Sequence, residues 1–258
     1  MIPIRVGENA ETGQTWYFDP SDVVNAVVGG RSGSGKSNFL YILAAIALSS
    51  PDMRFCTIDK DGALSAHLAP SPFRWSGYGL VTEGLDTLER IVAVMDSRLA
   101  QLRDEKRDKF EHFSVEFPLY FVVIDELAGL FARLKTYDLE QGLKGRESVE
   151  NRARVLVSRL MAEGRKAGFC TVLATQKPTI SVFSEGIREN AGLAVSFANE
   201  PGAVRLLIPS DNNKVCDRLE SQPSGVCLVR DTHGGFLGKA DFLNHEIYKS
   251  IGEAGFLS

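Results

Sequence analysis

The chain has 258 residues, of which 44% are hydrophobic and 24% charged, and a formal net charge of −4. That length and composition fit a soluble globular chain with one sizeable core, and the longest apolar run, Phe39 to Leu48, is too short to span a bilayer. The charge does not mark a nucleic-acid binder and does not exclude one, because local patches outweigh the sum.

The N-terminal residues Met1-Ile2-Pro3-Ile4-Arg5 show no basic region followed by an apolar one, so the expectation is a cytoplasmic chain with no membrane segment of its own. Ile2 to Asp19 reads as a hairpin, with a polar turn at Glu8 to Gly13 and a β-rich run at Trp16-Tyr17-Phe18. Val23 to Val28 is the first central strand. It leads through Gly30-Arg31-Ser32-Gly33-Ser34-Gly35-Lys36-Ser37 into a helix that stops near Ser49-Ser50-Pro51. Met53 to Ile58 is a second strand, closed by the turn Asp59-Lys60-Asp61-Gly62, and His67 to Gly79 looks irregular. From about Thr82, Leu85, Leu88, Val92, Met95, Leu99 and Leu102 repeat at helical spacing, and the charged run Arg103 to Lys109 reads as a solvated extension. Leu119 to Ile124 is a third strand. Phe131 to Glu147 reads as a polar, glycine-bearing stretch, with a second amphipathic helix after it through Val149, Ala153, Leu156 and Leu160. Phe169 to Ala174 and Leu193 to Phe197 are further strands. Short helices are expected around Ala203–Leu207 and Asn213–Leu219, and the strands Val226–Val229 and Phe236–Ala240 flank a turn at Asp231 to Gly235.

This alternation predicts an α/β fold with a mostly parallel central sheet and helices on both faces. One domain is expected over 1–258: an N-terminal hairpin at 1–20, a core at 21–200, and C-terminal helices and a hairpin at 201–258. The four cysteines form no C-x-x-C pair and read as buried free thiols. The four histidines lack metal-ligand spacing, so no structural zinc is expected.

Residues 30–37 fit G-x-x-x-x-G-K-[ST] at every fixed position, between a strand and a helix as that pattern requires. Glycines let the backbone curl so that successive N–H groups face one anion, and the helix start adds its positive end. Gly30, Arg31, Ser32, Gly33, Ser34, Gly35, Lys36 and Ser37 are therefore the candidate ATP cradle. Lys36 would reach the β- and γ-phosphates and Ser37 would ligate Mg²⁺. The strand Tyr120 to Ile124 ends in Asp125-Glu126. Asp125 would complete the Mg²⁺ shell and Glu126 would polarise the attacking water. Gln176 closes Val172-Leu173-Ala174-Thr175-Gln176 and could sense the γ-phosphate. Strand carboxyl ends form the ligand crevice of such sheets, so the three pieces should meet there.

The blocks Gly29 to Ser37, Val123 to Leu130 and Ala167 to Pro178, with Gly164-Arg165-Lys166 just upstream of the last, resemble the motor domain of the FtsK/SpoIIIE family of DNA translocases, within the HerA-like P-loop ATPases. The resemblance covers nearly the whole chain and is similar in extent to stand-alone transfer proteins of actinobacterial conjugative elements. It implies a RecA-like core, ATP hydrolysis stimulated by double-stranded DNA, and a homohexamer with ATP between subunits. It also implies an arginine supplied by the neighbouring subunit, with Arg165 the first candidate and Arg188 the second. No membrane region and no C-terminal winged helix are recognisable. Ala194 stands where many members carry arginine, and Asn25 where they often carry histidine. A viral genome-packaging motor, a type VII-like protein secretion ATPase and a nucleotide-gated binding module are the alternatives.

Between Arg133 and Lys166 nine Lys/Arg stand against five Asp/Glu, an excess of four. Arg152, Arg159 and Lys166, seven residues apart, are expected to share a face, either beside phosphates or at a subunit interface or simply solvated. Loops around Lys135–Arg146 could line a pore.

Overall fold

In the computed structural model, residues 3–19, 22, 24–77, 79–209, 216 and 219–253 are described. The expected helix at Asn213–Leu219 lies mostly outside them. The strands are β1 (Ile4–Asn9), β2 (Thr15–Phe18), β3 (Ala26–Gly29), β4 (Met53–Asp59), β5 (Arg74–Trp75), β6 (Leu119–Asp125), β7 (Phe169–Thr175), β8 (Leu193–Phe197), β9 (Val226–Asp231) and β10 (Gly234–Ala240). The helices are α1 (Lys36–Leu48), α2 (Val81–Asp104), α3 (Leu127–Gln141), α4 (Val149–Glu163), α5 (Glu185–Glu189), α6 (Pro201–Leu207) and α7 (His245–Glu253).

All ten strands form one sheet in the order β2-β1-β10-β9-β8-β3-β7-β6-β4-β5. The run from β8 to β5 is parallel. The two hairpins continue the same sheet as an antiparallel wing on β8. Period-two alternation sorts the strand side chains onto two faces. Val27, Ile58, Val122, Ile124 and Leu173 pack with helices α2 to α6. Val28, Phe55, Phe121, Val123 and Val172 pack with α1 and α7. The central strands are mostly apolar because both faces are covered. All four cysteines are buried and free, and burial pushes the Cys56 and Cys170 thiols up to about 12.

Several details differ from the sequence expectations. The stretch read as polar from Phe131 is the body of α3, which buries Leu127, Leu130, Phe131, Leu134 and Asp138. Asp138 hides the helical period because it is a polar residue on the buried face. Its carboxylate accepts hydrogen bonds from the amides of Val149 and Glu150 and from the Ser148 hydroxyl, fixing the start of α4. Burial pushes this carboxyl up, but those three hydrogen bonds outweigh it and hold it below its ordinary value. Lys135 therefore sits on a helix rather than in a pore loop. The basic face of α4 is also not free. Arg152 pairs with Glu89, and Arg159 with Asp96 at 2.5 Å and Glu163 at 2.9 Å. The contacts with Glu89 and Asp96 run between α4 and α2, and that with Glu163 stays within α4. Asn25 is buried, donating to the Met161 carbonyl at 2.8 Å and accepting from the Thr171 amide at 3.0 Å. It ties the entry of β3 to α4 and β7.

Candidate functional site

The carboxyl ends of the parallel strands are level. Gly29 pairs in register with Thr175 and with Ser196, and Asp59 with Asp125. The order places β3 between β7 and β8, so the chain leaving β3 must cross over β7 and β6 to reach β4. The crevice at such a reversal is where open α/β sheets bind ligands, and residues 30–35 occupy it.

The loop is shaped by its own hydrogen bonds. The Gly30 amide donates to the Thr175 carbonyl (3.3 Å), Arg31 to Ala198 (3.0 Å) and Ser34 to Arg31 (3.2 Å). Those three amides are spent on protein carbonyls. The amides of Ser32, Gly33, Gly35, Lys36, Ser37 and Asn38 make no hydrogen bond within the described chain, leaving six donors at the N-terminus of a 13-residue helix. Gly33 (φ 75°) and Gly35 (φ 108°) adopt left-handed backbone that L side chains disfavour. A Cβ on Gly35 would lie 2.7 Å from the Gly225 nitrogen. The Ser34 hydroxyl is buried without a partner, an acceptor and donor awaiting a polar group. A cleft of about 240 Å³ runs along this loop, bordered by Gly33, Lys36, Ser37, Asn38, Gln176 and Ser224 among others. Free amides, a buried orphan hydroxyl and a lysine at the helix start fit a polyphosphate. A serine hydroxyl and a carboxylate nearby fit the hard oxygen-ligand preference of Mg²⁺.

The other expected residues gather here as well. Lys36 and Asp125 are both buried, and the Lys36 ammonium donates to Asp125 Oδ1 at 2.6 Å. Asp125 Oδ1 also accepts from the Glu126 amide at 2.9 Å. Glu126 has φ 56° and ψ 55°, a left-handed conformation that costs a non-glycine residue about 1–3 kcal/mol. Its carboxylate points to β7. Oε1 accepts from the Thr175 hydroxyl and Oε2 from the Gln176 amide, each at 3.0 Å. The Gln176 carbonyl is held by Asn199 Nδ2 at 3.0 Å. Arg31 is exposed, and its guanidinium donates to the Glu220 carbonyl at 3.0 Å.

Neither arginine candidate joins this group. Arg165 is exposed in the short 3₁₀ turn before β7. Seven strand residues separate it from the crevice, roughly 20 Å at the usual rise. Arg188, on α5, is half-buried and donates to the carbonyls of Phe183 (3.2 Å) and Leu206 (3.4 Å). Ala194 is buried in β8.

Some site residues were not marked from the sequence. Asn38 donates to the Asp241 carbonyl at 2.6 Å and accepts from the Leu243 amide at 2.9 Å. The Gly225 amide donates to the Ser34 carbonyl at 2.9 Å. The C-terminal segments around 224–225 and 241–243 thus pack against the phosphate loop and the start of α1, and Ser224 borders the cleft. Only the adjacency of Asn38 to Ser37 could have signalled this. Thr175 was visible beside Gln176, but its contact with Glu126 was not. At the end of β4, Asp59 is fully buried and accepts from the amides of Asp61, Gly62, Leu64 and Ser65.

The FtsK/SpoIIIE family model matches residues 1–150. The DNA translocase FtsK of Borreliella burgdorferi is 28% identical over 220 residues, covering 76% of this chain and 25% of that protein. The pCW3 conjugation coupling protein TcpA, in a monomer form with ATPγS, matches with a TM-score of 0.71 at 19% identity, over 98% of this chain and 70% of that one. The cytoplasmic domain of the Thermomonospora curvata type VII secretion ATPase EccC matches with a TM-score of 0.70 at 17% identity, over 98% of this chain and 30% of that one. At these identities the structural likeness shows a shared fold. The chain spans about a quarter of the length of the curated relative.

Proposed function

The chain belongs to the FtsK/SpoIIIE family, and from that premise we propose that it is an ATP-driven motor that moves double-stranded DNA, in conjugative transfer or segregation. The observation that carries the proposal is the meeting of Lys36, Asp125, Glu126 and Gln176 at one crevice, with Lys36 Nζ 2.6 Å from Asp125 Oδ1. Bound Mg²⁺–ATP would supply the phosphoanhydride and the divalent charge. The free amides would orient the phosphates, and Lys36 would serve the β- and γ-oxygens. Ser37 and Asp125 would hold the metal. Glu126 accepts the proton of the attacking water, and Gln176, at the cleft edge, reads the terminal phosphate.

Arg165 lies too far from its own chain's crevice to serve it, which supports a role toward the site of a second copy in a ring such as a homohexamer. The described chain acts as one motor domain in the cytoplasm. Among the described residues no helix is long and apolar enough to cross a membrane. The likeness to a secretion ATPase is one of fold and gives no separate support to a protein cargo.

The test is ATP turnover with and without linear double-stranded DNA at increasing salt. Contacts to phosphates are blind to sequence and weaken steeply with salt. Stimulation at low salt, erased by moderate salt, is the expected result. Turnover that stays flat on adding DNA at low salt contradicts the motor reading.

A further inference from the structure

Both oxygens of the Glu126 carboxylate are held by the end of β7: Oε1 by the Thr175 hydroxyl and Oε2 by the Gln176 amide, at 3.0 Å each. The Thr175 hydroxyl is itself fixed, accepting from the Lys177 amide at 3.3 Å, and Thr175 is fully buried. Glu126 is not among the residues bordering the phosphate cleft, whereas Gln176 is. A general base must lie within hydrogen-bond reach of the proton it takes. In the arrangement seen, both carboxylate oxygens are engaged by the end of β7, and the Glu126 backbone is left-handed. Reaching the cleft requires it to leave the Thr175 hydroxyl.

We propose that Thr175 is a positioning residue whose hydroxyl latches Glu126 against β7 and so keeps ATP turnover low until the latch is opened. This rests on the motor reading above, in which Glu126 is the base and DNA is the activating partner. Two features favour a latch over a simple brace. The contact engages both carboxylate oxygens at once, and it joins β7 to the residue that follows β6, so a small shift of β7 against β6 breaks it. Gln176, which borders the cleft, follows Thr175 directly, so any movement of Gln176 toward a bound phosphate pulls on the same strand end. The latch thereby connects phosphate occupancy to release of the base.

The experiment measures kcat and KM for ATP, with and without double-stranded DNA, on the whole chain and on Thr175→Val, which keeps the shape and removes the hydroxyl. The DNA-free kcat should rise about tenfold, the order expected for losing one hydrogen bond to a carboxylate. The DNA-stimulated kcat and the KM should hold, so the stimulation ratio shrinks. Thr175→Ser, which keeps the hydroxyl, should restore the wild-type ratio. Thr175→Ala removes the same donor and carries the same expectation if valine prevents folding. A DNA-free kcat that is unchanged or falls in the hydroxyl-lacking variants overturns the latch, a fall at constant KM showing that Thr175 braces the base for catalysis. A wild-type chain that turns over ATP but is indifferent to DNA defeats the DNA-motor reading, and the Thr175→Val result then still decides the latch. A wild-type chain that hydrolyses no ATP defeats both.

Discussion

Replacing Gly35 by alanine tests whether the phosphate loop is shaped by its contact with the C-terminal segment around 224–225. An L side chain at positive φ costs about 1–2 kcal/mol, and Gly33 and Gly35 share that term. They differ in their surroundings. A Cβ on Gly33 meets nothing within 4 Å, whereas one on Gly35 lies 2.7 Å from the Gly225 nitrogen and 2.9 Å from its Cα. Those are backbone atoms and cannot rotate away. The segment must move, which breaks the 2.9 Å bond from the Gly225 amide to the Ser34 carbonyl. Losing that bond costs about 1 kcal/mol, and overpacking adds about 1–3 kcal/mol. Gly35→Ala is therefore expected to cost at least about 2 kcal/mol more than Gly33→Ala, summed over folding and ATP binding, which is roughly 30-fold if it falls on affinity. Titration with a fluorescent ATP analogue, together with thermal melts of both variants, reads the two components. Equal effects at the two glycines would refute the argument that the 224–225 segment shapes the loop.

Further outcomes concern buried charge and the candidate partner arginine. Burial pushes the Asp59 carboxyl up, the Leu64 amide pulls it down and Asp125 pushes it up again, leaving it at about 6 against an ordinary 3.8. The folded chain thus holds this proton more tightly than the unfolded one. The resulting stability is complete below about pH 4 and is lost as pH rises through about 6, a span of about 3 kcal/mol. Denaturant titrations should show the stability difference between wild type and Asp59→Asn shifting by that order between these limits, and a pH-independent difference would contradict the assignment. Arg165→Ala should leave ATP affinity near wild type and lower turnover by roughly 10³-fold or more. Unchanged turnover removes Arg165 as the residue acting on a neighbouring site.

The parts of the fold most legible in the sequence were those where one signal dominated. β6 and β7 are predominantly apolar runs because helices cover both faces, and the glycine-rich loop between β3 and α1 announces itself. Helix α3 was hidden because Asp138 takes a buried position that the helical period would give to an apolar residue, and its role as a cap for α4 is a tertiary fact. Strand β5 is two residues long and carries no period of its own. Arg152 and Arg159 read equally as a lane beside phosphates, a subunit interface or a solvated face because their partners are remote in sequence. Glu89 and Asp96 on α2 repeat the same seven-residue spacing and neutralise them. The site residues on β3, α1, β6 and β7 were nameable from motifs, whereas the packing of 224–225 and 241–243 against them was not. Its contacts are made by backbone atoms and by Asn38, and no residue pattern encodes them.

The most direct test of the central claim is ATP hydrolysis by Glu126→Gln alongside its equilibrium affinity for ATP. The substitution keeps the shape of the side chain and removes the base. The account expects affinity near that of the wild type and turnover reduced by at least about 100-fold. A Glu126→Gln protein that hydrolyses ATP at the wild-type rate would contradict it.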